Sequence, residues 1–196
     1  KASQRVAMSV IDSRDYLRND QRAYAGTTIV AFGIPAARNI SFITGNGADD
    51  QLMLAGYLGE RARLGASMAG WDVSFVDLLQ LPGPAEADDL IAEQKAAKLV
   101  VFDVHEWFFR INQTGFRGVY SADTFDFNHK TDIYVYEPGG GSPFKLTVGA
   151  DELLSLSPLK GPDMHVRDFP NLFVYAFRDQ LGKLMANAEL RKQLTE

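Results

Sequence analysis

The sequence predicts an α+β fold, α/β-like in its first half, with a mixed and largely antiparallel sheet flanked by about three helices. Three observations carry this. Helical and strand patterns alternate between Asp49 and Phe109, which is the order of a layered arrangement. The run Leu99 to Phe109 (LVVFDVHEWFF) is apolar on both faces over its first half, as a central strand must be. From Tyr120 onward, β-prone pieces lead into a glycine-rich hairpin before a last helical stretch.

Taken in order, Arg5 to Ile11 (RVAMSVI) reads as a strand that ends at Asp12-Ser13-Arg14-Asp15. A polar connection runs to Gly26, and Thr27 to Phe32 and Ile40 to Thr44 are short β-prone pieces separated by Gly33 and Pro35. Residues 1–45 are the least regular part of the chain. Asp49 is an expected N-cap for a helix reaching Ala69, with Gly70 as its stop. Its apolar face should carry Met53, Leu54, Tyr57, Leu58, Leu64, Gly65 and Met68, with Arg61 projecting from the middle of that face. Trp71 to Leu79 is the next strand, with Val73, Phe75 and Val76 as inward candidates.

Pro82-Gly83-Pro84 interrupts the pattern, and Ala85 to Lys98 is a second helix whose acidic first turn suits its positive end. Beyond the central strand, Tyr120 to Phe127 and Thr131 to Tyr136 are read as two strands joined by a charged turn at Asn128-His129-Lys130. Glu137 to Ser142 makes a hairpin, and Phe144 to Val148 returns from it with clean alternation. A loop through Leu156 to Val166, a helix from Asp168 to Ala186 and a short helical tail in 188–196 complete the reading. A chain of 196 residues suits one globular domain over 1–196.

Composition narrows function by exclusion. The chain is 46% hydrophobic and 23% charged, which is ordinary for a packed domain. Its net charge of −5 and the lack of any Lys/Arg run argue against nucleic acid as a partner. The same sign argues against electrostatic adhesion to anionic lipid. With no cysteine, disulfides, thiolate nucleophiles and thiolate metal sites are all excluded.

Asp103, His105 and Glu106 form the most suggestive cluster. On a regular strand Asp103 and His105 share one face, where a carboxylate–imidazole pair could act as a general base or a metal ligand, while Glu106 points to the other. Asp123, Asp126, His129 and Asp132 form a second polar group, which is weighed as a hard-cation site and read instead as a charged turn. It lacks the glycine and terminal glutamate of an EF-hand loop. Trp107, Phe108 and Phe109 are consecutive aromatics on one strand, so at least one faces away from the core side; they are either a partner surface or covered by neighbouring helices. Gly45-Asn46-Gly47 and Gly139-Gly140-Gly141 match no phosphate-binding loop, and there is no nucleophile elbow. No cofactor is expected.

Asp12-x-Arg14, Gly33-x-Pro35, Ala48-Asp49-Asp50, Glu106-Trp107 within its strand, the strand TDIYVYE with its glycine hairpin, and the ending Ala176-Phe177 to Asn187 together resemble proteobacterial envelope lipoproteins of unknown function, similar to the YajG-like lipoproteins. The first helix and the segment between Phe109 and Thr131 are longer than that group suggests. The resemblance implies an exported domain in the periplasm or at the cell surface. It also implies outer-membrane attachment by an N-terminal lipid anchor, whose cysteine would lie upstream of Lys1, and an envelope protein as partner. It brings no catalytic residues, so the leading expectation is a non-enzymatic binding or assembly role. The alternative is a hydrolase or metal-dependent enzyme using Asp103, His105 and nearby carboxylates.

Overall fold

A computed structural model describes residues 5–14, 26–31, 34–37, 54–68, 70–114, 122–155 and 186–195. The fold is α+β: seven strands in one mixed sheet, with three helices among the described residues. In chain order these are β1 (Arg5–Asp12), β2 (Gly26–Ala31), β3 (Ile34–Ala37), α1 (Leu54–Met68), β4 (Asp72–Phe75), α2 (Pro84–Glu93), β5 (Lys98–Thr114), β6 (Ala122–Tyr136), β7 (Phe144–Ser155) and α3 (Ala188–Thr195).

The sheet is organised around β5. One edge of β5 carries β6 antiparallel, from Leu99↔Tyr136 to Thr114↔Ala122. The other edge carries two parallel strands end to end: β1 along Lys98 to Val104, then β2 along Phe108 to Gln113. β4 adds parallel to β1, β3 adds antiparallel to β2, and β7 adds antiparallel to β6. The chain therefore leaves β1 beside the middle of β5 and rejoins the same edge further along. Ser13 N–H still donates to the Val104 carbonyl (2.9 Å), closing the β1 end of that edge.

Strand alternation sorts the core onto two faces. Val6, Met8 and Val10 of β1, Val100, Phe102 and Val104 of β5, and Ile133 and Val135 of β6 pack with Leu54 and Leu58 of α1 and with Leu190 and Leu194 of α3. Ala7, Ile11, Leu99, Val101 and Tyr136 face the other way, under Ala87 and Ile91 of α2. α2 starts where Pro84 supplies a preset φ, and it stops when Lys95 turns left-handed (φ 51) and Ala96 N–H closes onto the Ile91 carbonyl. Lys98 thus belongs to β5, not to the helix.

Several elements depart from the sequence reading. β3 contains Pro35, expected from the sequence to separate two strands; at the rim of the sheet a missing N–H is tolerated. β6 runs unbroken through Asn128-His129-Lys130, because ladders with β5 and β7 hold it from both sides, so the expected charged turn is strand. α1 buries a narrow stripe, Leu54, Leu58 and Ala66 with Ala62 packed beside them. Leu64 (46%) and Met68 (82%) are exposed, and Arg61 is exposed rather than set in the apolar face. Gly59 on the same helix lies against the Phe75 ring, so close that a Cβ there would overlap it. The Gly70 stop is as read, with φ +86 and Trp71 N–H on the Ala66 carbonyl. The helical tail is no appendage: Asn187 Oδ1 accepts from Glu189 and Leu190 N–H (both 3.0 Å), and Leu190 is fully buried. The Asp49 cap, the strand at Ile40 to Thr44 and the expected helix from Asp168, as far as residue 185, lie outside the described residues.

Candidate functional site

Beyond the rungs covered by α2, the same sheet face turns polar. The ladder places Asp103 of β5 opposite Asp132 of β6, and Asp132 opposite Thr147 of β7, so three strands contribute one transverse row. Asp103 and Asp132 are both buried, at 4% and 7% exposure. The Thr147 hydroxyl donates to Asp132 Oδ1 (2.6 Å), and Lys145 Nζ lies 2.7 Å from Asp132 Oδ2. Lys145 also sits over the Tyr134 ring, 5.2 Å from its centroid.

These contacts set the charge states. Burial works to raise the Asp132 carboxyl, but the hydrogen bonds from Lys145 and Thr147 and the positive fields of Lys145 and His105 outweigh it and hold the group below its ordinary range. Its partner Lys145 is pushed up, chiefly by the hydrogen bond to Asp132. Two rungs away, burial raises the phenol of Tyr136, whose hydroxyl donates to the Pro82 carbonyl (3.1 Å).

His105 enters the row through an irregularity. Val104 pairs with Thr131 and Glu106 with Lys130, which leaves His105 as the extra residue of a β-bulge. Its Nε2 lies 3.4 Å from Asp103 Oδ2 and 3.2 Å from Asp132 Oδ2. Neither approach has hydrogen-bond geometry: among the described residues Nε2 and Asp103 Oδ1 are buried without a hydrogen-bond partner. The bulge also resets alternation. Glu106, expected on the face opposite Asp103, stands opposite Lys130 on the same side as Asp132, and it is exposed. Simple period-two counting fails here because one residue has been inserted.

The same reset accounts for Trp107, which packs into the main core at 8% exposure and stacks, tilted, against His129 with centroids 6.4 Å apart. Trp107 is therefore not part of an exposed aromatic surface; the side chains of Phe108 and Phe109 lie outside the description. His129 is spent in that core contact, and strand parity puts it on the face opposite Asp132. Asp123 and Asp126 occupy β6 opposite Gln113 and Arg110, and their side chains lie outside the description. An extended strand rises about 3.4 Å per residue, so Asp123 and Asp132 stand roughly 30 Å apart and cannot meet on one cation. Among the described residues no group of three or more His, Asp or Glu is arranged to hold a metal ion.

The sequence reading missed Lys145 and Thr147. A signal was present: closing the hairpin around Pro138 to Gly141 pairs Tyr134 with Lys145 and Asp132 with Thr147. It also missed the locked pair at the end of β1, where Arg14 Nε and Nη2 grip Asp12 Oδ1 and Oδ2 at 2.8 and 2.7 Å with the arginine fully buried.

No protein-family model and no curated protein matches this sequence. Among solved structures, the chain is similar to a protein of Xanthomonas campestris from the family DUF330, at 9% identity and a TM-score of 0.44, with 97% of this chain and 89% of that one covered. It is similar to the PelC dodecamer subunit of Paraburkholderia phytofirmans at 13% identity and a TM-score of 0.37, covering 81% and 79%. Lipoprotein GNA1162 of Neisseria meningitidis is similar at 8% identity and a TM-score of 0.34, covering 92% and 99%.

Proposed function

We propose that this chain is a non-enzymatic domain of an exported envelope lipoprotein that works by binding or assembly. The observation that carries the reading is the edge of the sheet. β7 runs from Phe144 to Ser155 in unbroken register with β6, and its outer side pairs with no described strand. A straight strand without proline or bulge offers a row of backbone donors and acceptors to another chain. The polar groups nearest that edge hold each other, with Lys145 paired to Asp132 and the Thr147 hydroxyl donating to it, which suits a structural row better than a reactive one. The resemblance of its motifs to those of envelope lipoproteins supports an exported, acyl-anchored setting, and no described helix is long and apolar enough to cross a membrane.

The test is a photoreactive residue at Thr147, which is exposed on β7, in the native cells. Fractionation should place the protein in the envelope, and irradiation should yield a discrete adduct with a protein. A chain found in the cytoplasm with no adduct overturns the reading.

A second reading rests on His105, whose Nε2 sits between two carboxylates. As a general base it would serve hydrolysis, with the Asp103 and Asp132 carboxylates stabilising the imidazolium that forms. Turnover of any ester, phosphoester or glycoside that H105A abolishes while thermal stability is kept would establish it; turnover unchanged in H105A dismisses it.

A further inference from the structure

The sequence of β7 is complementary to itself when turned antiparallel. Its residues are Phe144-Lys-Leu-Thr-Val-Gly-Ala-Asp-Glu-Leu-Leu-Ser155, and its ladder with β6 holds one register throughout, so alternation along it is regular. A two-fold axis through Val148 sets each residue of β7 against a definite residue of a second copy. Val148 meets Val148, Leu146 meets Ala150 and Thr147 meets Gly149. Lys145 falls opposite Asp151. Opposite charges are thus paired at two symmetry-related places, on the sheet face that carries the Asp132 row.

Both faces agree with this register. Lys145, Thr147 and Gly149 are exposed, so the positions flanking the axis on that face are open to a neighbour. On the other face Leu146 and Val148 are half-buried against the main core, and the pairing would continue that apolar layer across the axis. Moving the axis by one residue, to Thr147 or Gly149, sets Lys145 against Gly149 or Leu153 and Val148 against Leu146 or Ala150, so neither keeps Lys145 opposite Asp151. Antiparallel edge pairing also satisfies the backbone groups on the side of β7 that no described strand pairs, which a side-chain contact would not.

We infer that two copies of this chain join through β7, antiparallel and centred on Val148, with Lys145 of each opposite Asp151 of the other, continuing the sheet across the two-fold axis. The inference rests on the binding reading above and names its partner as a second copy.

Because the chain contains no cysteine, single cysteines report the register directly. Facing residues of an antiparallel pair have Cα atoms about 4.5–5.5 Å apart, within disulfide range. Purified V148C should oxidise to a covalent dimer well ahead of L146C or T147C, whose own copies are out of register. Sedimentation of the unmodified chain should give twice the chain mass. D151K and K145D, each setting like charges opposite one another, should each sediment as monomers, and an equimolar mixture of the two should recover the dimer. A monomeric wild-type chain, equal oxidation of all three cysteine variants, or D151K dimerising as well as wild type overturns the inference. If the chain is monomeric while Thr147 crosslinks to a different protein in cells, the second copy is wrong and the binding reading stands. If neither self-pairing nor any adduct is found, both fall.

Discussion

Asp12–Arg14 and Asp132–Lys145 are both carboxylate–cation pairs on one sheet, yet they sit in opposite surroundings. Arg14 is wholly buried and grips a carboxylate only two residues away with a two-pronged contact. Lys145 reaches across strands from the rim, with 48% of its side chain exposed, to a carboxylate that Thr147 already serves. In the first pair each charge has left water and depends on its partner; in the second the lysine keeps much of its hydration. The buried pair therefore acts as a lock where β5 exchanges β1 for β2 as its neighbour, whereas the rim pair is exchangeable and leaves a charge beside an edge that no described strand covers.

The contrast can be broken most directly at the lock. Arg14→Ala removes the buried guanidinium that grips Asp12 and should lower unfolding free energy by about 3 kcal/mol, read from urea denaturation. Arg14→Lys should restore only part of this, because a point charge cannot reproduce the bidentate fork.

At the rim the losses should be smaller. Asp132→Asn removes the charged acceptor of both Lys145 and Thr147 and should cost about 1–1.5 kcal/mol once solvent screening at Lys145 is allowed for. Its pH dependence has a definite sign. The folded-state value of Asp132 is depressed, so its contribution is complete above the ordinary carboxylate range and is lost as pH falls through the lowered folded value. The gap between wild type and D132N should thus be widest near neutrality and close on acidification below about pH 4. A gap that widens in acid would overturn this account of the row.

Thr147→Val removes one short hydrogen bond to Asp132 and should cost about 1 kcal/mol by thermal or chemical denaturation. Lys145→Met should be the mildest of these, and its effect should fade in 1 M salt, since the ammonium is half in solvent. Salt should leave the Arg14→Ala effect nearly unchanged. If it screens both alike, the distinction between lock and rim does not hold.

Much of the fold was legible before any coordinates. β1, the core of β5, the Gly70 stop and the glycine hairpin follow from local pattern, because apolar alternation, positive-φ glycines and Pro-Gly turns act within a few residues. The candidate site was half legible. Asp103 and His105 stood out as neighbours in sequence, but Asp132 was assigned to a turn group and Lys145 and Thr147 were passed over. What joins them is cross-strand register, which chain proximity does not display.

By itself, then, the sequence determined a cysteine-free, acidic α+β chain built on a central apolar strand, since composition and short-range periodicity are properties of the chain alone. The tertiary structure decided the rest. The bulge at His105 moved Glu106 onto the Asp132 face and Trp107 into the core, Gly59 of α1 came to lie against the Phe75 ring, and β1 and β2 came to share one edge of β5. Each depends on which strand or ring lies opposite, and a single inserted residue in a ladder reverses every side chain beyond it.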